Sequence, residues 1–146
     1  METTEISAHK TAAEITGLLV KSGAREIAME YGTAAKLEGF RFALLIEQIP
    51  VTFALPVRIE PVFQTINGRR KGDRQSAAAK DRAQAERVAW RQLLRWVQAQ
   101  LSMIDTGMVQ AHEVFLPYLI HAGTGQTLFE YFQKGGLKQL TAGGGD

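Results

Sequence analysis

The chain has 146 residues, an apolar fraction of 45%, 22% charged residues and a net charge of +2. These values fit one folded domain with a single core, and they exclude wholesale disorder. The absence of cysteine excludes disulfides, thiolate catalysis and cysteine-ligated zinc. No apolar run approaches the roughly 20 residues that a membrane span needs, and the polar N-terminus has no signal-peptide pattern, so we expect a soluble, cytoplasmic protein.

The first predicted element is a short amphipathic helix over residues 12–22. Thr11 and Glu14 form a capping-box pattern, in which each side chain accepts one of the free N–H groups of a helix N-terminus. Apolar residues follow at helical spacing as far as Gly23, which is a typical helix stop. Residues 1–10 are predicted to be a flexible tail.

Three strands are predicted next. Apolar and polar residues alternate with a period of two, and aromatic and β-branched side chains dominate, as in strands with one buried face. The connections between the runs are short, which favours an antiparallel meander. Pro56 cannot donate a hydrogen bond to a neighbouring strand, so the third run is expected at a sheet edge or at a bulge. The runs cover residues 27–31, 40–46 and 51–59.

The second half of the chain is predicted to be helical. One or two turns over 61–66 precede a basic loop, and the longest helix covers 76–104. Two short helices follow over about 108–120, where Pro117 ends or kinks the helix, and over 126–133. A flexible, glycine-rich tail is predicted over 135–146. The predicted fold is α+β, with the order α-β-β-β-α: a three-stranded meander packed on one long helix in a single domain over 11–134.

The positive charge is concentrated in residues 69–95. This stretch holds nine of the 17 basic residues and three of the 15 acidic ones, so it carries about +6 while the remainder of the chain carries about −4. A concentrated basic patch is the electrostatic footprint of a polyanion partner. The predicted nucleic-acid-binding residues are Arg69, Arg70, Lys71, Arg74, Lys80, Arg87, Arg91 and Arg95.

On a helical wheel the long helix divides into a core face and a basic stripe. The core face comprises Ala79, Ala83, Trp90, Leu93, Leu94, Val97, Leu101 and Ile104. The stripe comprises Lys80, Gln84, Arg87, Arg91, Arg95 and Gln98. Arginines spaced by four place their guanidinium groups along one side of the helix, where each can match the oxygens of a phosphate. The alternative is a solvated face paired with nearby carboxylates such as Glu86.

Trp96 lies opposite the arginines on the wheel. It is predicted either to be covered by the C-terminal helices or to lie at a subunit interface of a homo-oligomer, where tryptophan is enriched. Stacking of bases on Trp90 or Trp96 is a further alternative.

No pattern of catalytic or cofactor-binding residues accompanies the basic segment. His9, His112 and His121 lack the spacing of metal ligands, and residues 68–72 lack the spacing of a phosphate-binding loop. There is no nucleophile elbow or catalytic triad pattern. We therefore expect a protein that is not an enzyme and that uses no metal and no cofactor.

Two families share features with these elements. The helix segment Ala83-Gln-Ala-Glu-Arg87-Val-Ala-Trp-Arg91-Gln-Leu-Leu-Arg95, after three strands, resembles the ring-forming single-strand annealing recombinases of phages and eukaryotes. The α-β-β-β-α order, with the run Ser76 to Ala85 at the start of the helix, is similar to the double-stranded-RNA-binding domain. The first resemblance covers residues 24–101 and implies that single-stranded DNA lies along a basic groove.

The functional prediction is a nucleic-acid-binding protein that binds single-stranded DNA in phage-type recombination or replication. Contacts with about six phosphates predict a slope near −4 for the logarithm of the binding constant against the logarithm of the salt concentration. The alternative is a protein-interaction module, such as a phage-encoded inhibitor of a host defence complex, which would present the same arginines to an acidic protein surface.

Overall fold

A computed structural model of the protein describes residues 4–69 and 74–142. The predicted α+β class is confirmed: the elements are a three-stranded antiparallel meander, one long helix and several shorter helices. In chain order they are α1 (Thr4–Lys21), β1 (Arg25–Tyr31), β2 (Leu37–Ile46), β3 (Ile49–Pro56), α2 (Ile59–Arg69), α3 (Arg74–Asp105), α4 (Ala111–Phe115), α5 (Leu128–Tyr131) and α6 (Leu137–Thr141). None of the helices within the described residues is long and apolar enough to cross a membrane.

The sheet has the strand order β1-β2-β3, and its register places one apolar side chain opposite another. Phe40 pairs with Leu55 and Phe42 pairs with Phe53, and all four residues are buried. Glu47 and Gln48 connect β2 to β3 and both have positive φ angles, of 51° and 70°, as a two-residue turn of the mirror-image type requires. The period-two pattern therefore produced the predicted sheet, with one face in the core.

Aromatic rings join the buried face of the sheet to the helices. Phe40 meets Trp90 of α3 edge-on with ring centroids 5.6 Å apart, and Phe42 meets Phe115 of α4 at 5.5 Å. Ile15 and Leu19 of α1 belong to the same core. The sheet thus forms one layer, and α1, α3 and α4 pack on its buried face, with one side of α3 against the sheet.

Helix α1 is longer than predicted. It begins at Thr4, whereas the sequence indicated a tail over 1–10 and a helix from residue 12. Ala8 and Ala12 are buried, and they extend the apolar stripe of Ile15 and Leu19 by two turns toward the N-terminus. Small alanine side chains carry a weak hydrophobic signal, but they allow α1 to pack closely on α3.

The segment after α4 covers the outer edge of β3. Leu119 forms an antiparallel bridge with Phe53, and the Ile120 amide donates to the Thr52 carbonyl at 2.9 Å. Ile120 also bridges to Thr127, so residues 119–127 add a small hairpin to the sheet. β3 is an edge strand of the three-stranded meander that ends at Pro56, as the proline predicted, and the hairpin protects that edge.

The C-terminal helices are shorter and more broken than predicted. α4 ends at Phe115, and a single 3₁₀ turn containing Pro117 follows it. α5 has four residues and continues into an irregular turn that ends at Gly136. The predicted tail over 135–146 contains α6 in its described part.

Candidate polyanion-binding surface

The predicted basic stripe lies on the exposed side of α3. Lys80, Arg87, Arg91 and Arg95, which we call the arginine stripe, are all exposed, and so are Gln84 and Gln98 beside them. The rise of 1.5 Å per residue places successive arginines about 6 Å apart along the axis and gives the stripe a length of about 22 Å. The structure therefore brings these four cations together on one face.

Two carboxylates, one of α3 and one of α2, pair with cations outside the stripe. Glu86 accepts a hydrogen bond from Lys36 at 2.7 Å, and Glu60 of α2 pairs with Arg82 at 2.9 Å. Within the described residues, no ion pair or hydrogen bond engages Lys80, Arg91 or Arg95. Glu86 thus pairs with the connection before β2, and the alternative, in which the stripe is a solvated face, stays a prediction.

The predicted basic loop is shorter than expected. Arg69 is the exposed last residue of α2, and Arg74 is the first residue of α3. Arg70 and Lys71 lie outside the described residues. Because only four residues separate Arg69 from Arg74, these two positions stay close in the fold, at the end of α3 from which the arginine stripe begins.

The buried face of α3 differs from the predicted one in its N-terminal half. Trp90, Val97 and Leu101 are buried as predicted, but Ala79 is exposed and Ala83 is only half-buried. Four other side chains are buried in that half. They are Asp81, Ala85, Glu86 and Ala89. The reason is that α1 and α2 both pack on α3, so this half of the helix is covered on more than one side.

Arg82 belongs to the scaffold. Its guanidinium group lies 4.0 Å from the centroid of the Phe63 ring and donates to Glu60 at 2.9 Å. Both contacts are with α2, so this cation joins two helices. The charge of Arg82 was counted in the basic segment. In the sequence, Arg82 differs from the arginines of the stripe only in its position on the helical wheel.

The two tryptophans pack within the fold. Trp90 is only 2% exposed and has no open face for a base. Trp96 is half-buried, and Phe115 and Tyr118 meet its ring edge-on at 5.7 Å and 5.9 Å. The C-terminal segment therefore covers Trp96, as one of the two alternatives predicted, and its role at a subunit interface stays a prediction.

No group of three or more metal-ligating side chains occurs within residues 4–69 and 74–142. The exposed face of α3 carries the cations of the arginine stripe and the amide side chains of Gln84 and Gln98, an arrangement suited to binding anions. Comparisons with models of protein families, with curated proteins and with solved structures find no match to this chain.

Proposed function

We propose that the protein binds nucleic acid through the phosphate groups, and that the arginine stripe of α3 is the binding surface. The observation that carries this proposal is the set of exposed cations on one helix face, with Lys80, Arg91 and Arg95 unengaged by any described carboxylate. A guanidinium group donates two parallel hydrogen bonds to phosphate oxygens, so a row of them follows a phosphate backbone well.

The chemistry of the stripe supports binding that depends little on sequence. Contacts with phosphates position a protein on nucleic acid, whereas contacts with base edges discriminate between bases. Stacking on aromatic rings adds affinity with little sequence preference. Neither tryptophan of α3 offers an open ring beside the stripe. The sequence resemblance implies that the ligand is single-stranded DNA, in recombination or replication. Because single strands and duplexes both carry phosphates, binding to duplex DNA of equal length is the necessary comparison.

The test is a titration of a fluorescent oligonucleotide, followed by anisotropy, at several salt concentrations. If the four cations of the stripe each contact one phosphate, the slope of the logarithm of the binding constant against the logarithm of the salt concentration should be about −3 for a single strand. Additional phosphate contacts by Arg69 and Arg74 would make the slope steeper, toward the −4 predicted from the sequence. Absence of binding to both single strands and duplexes at about 50 mM salt would refute the proposal, since electrostatic binding is strong at low salt.

A further inference from the structure

A small cavity, which we call the slot, lies between the end of β3 and the side of α3. Its volume is about 260 Å³, just below the range of sites for drug-sized ligands, so the slot suits one small planar group. Leu55, Val57 and Ala89 are buried and form its floor, and the half-buried rings of Trp96 and Tyr118 form an aromatic wall. The interior of the slot is therefore apolar.

Two exposed polar side chains, Gln92 and Arg58, line the mouth of the slot. Within the described residues, no hydrogen bond or ion pair engages either side chain. The Arg58 guanidinium group lies 5.3 Å from the centroid of the Phe129 ring, and the charge of Glu130 attracts it without forming an ion pair. The mouth thus offers an amide, which both donates and accepts hydrogen bonds, and a guanidinium group, which donates them.

The slot adjoins the arginine stripe along α3. Gln92 lies three residues before Arg95 and four residues before Trp96, and side chains at both spacings are neighbours on a helix surface. At roughly 100° per residue, Gln92 lies between the two, about 60° from Arg95 and about 40° from Trp96. A strand whose phosphates lie on Arg91 and Arg95 would therefore pass within reach of the slot.

An unpaired nucleobase has the shape and the chemistry that the slot accommodates. Its flat faces pack against aromatic and aliphatic side chains, and its edge carries hydrogen-bond donors and acceptors. Glutamine amides and arginine guanidinium groups are among the side chains that pair with such edges. The base would lie between the walls and not on an open tryptophan ring, because Phe115 and Tyr118 pack against Trp96.

We propose that the slot takes up one unpaired base of a strand whose phosphates lie on the arginine stripe. This proposal rests on the proposed function, because the stripe brings the strand to the slot. In a duplex, a base enters such a site only after it is unpaired and unstacked, which costs free energy. The slot therefore favours single strands, whereas the stripe alone contacts phosphates that both forms of DNA carry.

The experiment compares a fluorescent oligothymidylate with an abasic strand of the same length, so that the two ligands carry the same phosphates. In anisotropy titrations at about 50 mM salt, the strand with bases should bind at least about fivefold more tightly, which is the lower end of what one stacked base contributes. The slope against salt should be the same for both strands, because their phosphate contacts are the same.

Two variants test the slot itself. Ala89→Leu places a larger side chain in the slot and keeps every cation, so it should reduce the affinity for the strand with bases to that for the abasic strand. Gln92→Ala removes the amide at the mouth and should weaken binding of the strand with bases by about threefold, as expected for one net hydrogen bond, without changing binding of the abasic strand. Gln98→Ala is the matched control, since this exposed glutamine lies beside the stripe and outside the slot, and it should change neither affinity.

The outcomes separate this proposal from the proposed function. Equal binding of the two strands would reject the slot and leave phosphate binding by the stripe standing. A preference for bases that survives in Ala89→Leu would show that the base is held elsewhere, provided that this variant still binds the abasic strand and is therefore folded. If Ala89→Leu loses that binding, Gln92→Ala decides, and an unchanged preference for bases in it would reject the slot. Absence of binding to either strand would refute the proposed function and this proposal with it.

Discussion

The charged residues of α3 form two sets with different surroundings. Asp81 and Glu86 are buried, and Arg82 is held between Glu60 and the Phe63 ring. The arginine stripe is exposed along its whole length. A single basic segment in the sequence therefore contains one set that is packed within the fold and another that faces solvent, and charge density alone does not separate them.

Arg82 and Arg91 make this difference concrete. Both are arginines of the same helix, but Arg82 contacts α2 through an ion pair and an aromatic ring, whereas no described residue engages Arg91 in an ion pair or a hydrogen bond. Substitution at each position should consequently change a different property: the stability of the fold at Arg82, and the binding of anions at Arg91.

The largest effect is expected from replacing Arg87, Arg91 and Arg95 together with alanine. Loss of three phosphate contacts should weaken oligonucleotide binding by about 100-fold or more at low salt and should reduce the salt slope by about 2 for a single strand. Anisotropy titrations at several salt concentrations measure both quantities. The free energy of unfolding should change little, because all three side chains are exposed.

The matched control for the triple variant is the change of Gln84 and Gln98 to alanine. These exposed residues flank the stripe but carry no charge, so the salt slope should stay the same. A triple variant that unfolds at a lower urea concentration, or that keeps the wild-type slope, would contradict the separation of the two sets.

An intermediate effect is expected from Arg82→Ala. The variant loses an exposed ion pair, a cation–π contact and the packing of the arginine stem, which together contribute about 1–2 kcal/mol to the free energy of unfolding. Urea denaturation measures this loss. Oligonucleotide affinity at equal salt should stay within about twofold of the wild type, since Arg82 does not belong to the stripe.

Arg91→Ala is the matched control for this result. It removes the same side chain from the same helix, but it should leave the free energy of unfolding within about 0.5 kcal/mol of the wild type, as is usual for surface substitutions. Equal destabilisation by the two variants would show that the contacts of Arg82 do not determine the loss, since helix propensity favours alanine at both positions.

Much of the fold was predictable because its strongest sequence signals are local. Phe40, Phe42, Phe53 and Leu55 alternate with residues of the outer face, and they are all in the core. The extent of α1 was not predictable from its apolar residues, because Ala8 and Ala12 are small. The hairpin over 119–127 was missed because it pairs with β3, which precedes it by more than 60 residues.

The arginine stripe was predictable and the buried charges were not. Spacing by four places Arg87, Arg91 and Arg95 on one side of any helix, whatever packs on the other sides. Burial of Glu86 depends on Lys36, which reaches it from the connection before β2. A wheel with one apolar face cannot represent a helix that is covered by both α1 and α2, and it therefore assigned Ala79 to the core.

The smallest effect concerns the pH dependence of the contact between α2 and α3. The hydrogen bond from Arg82 lowers the pKa of Glu60 below its usual value of 4.5, and a hydrogen bond from Gln64 adds to this shift. Because the pKa is lower in the folded state, the contact stabilises the fold above the unfolded pKa and is lost as the pH falls through the folded pKa. In urea denaturation, the difference in stability between the wild type and Glu60→Gln should therefore be larger at pH 7 than at about pH 3.

The Arg82–Phe63 contact does not titrate in this range, so Arg82→Ala should remain less stable than the wild type at the lower pH. A difference between the wild type and Glu60→Gln that is unchanged by acidification would show that the carboxylate contributes nothing, and that the aromatic contact alone holds Arg82 in place.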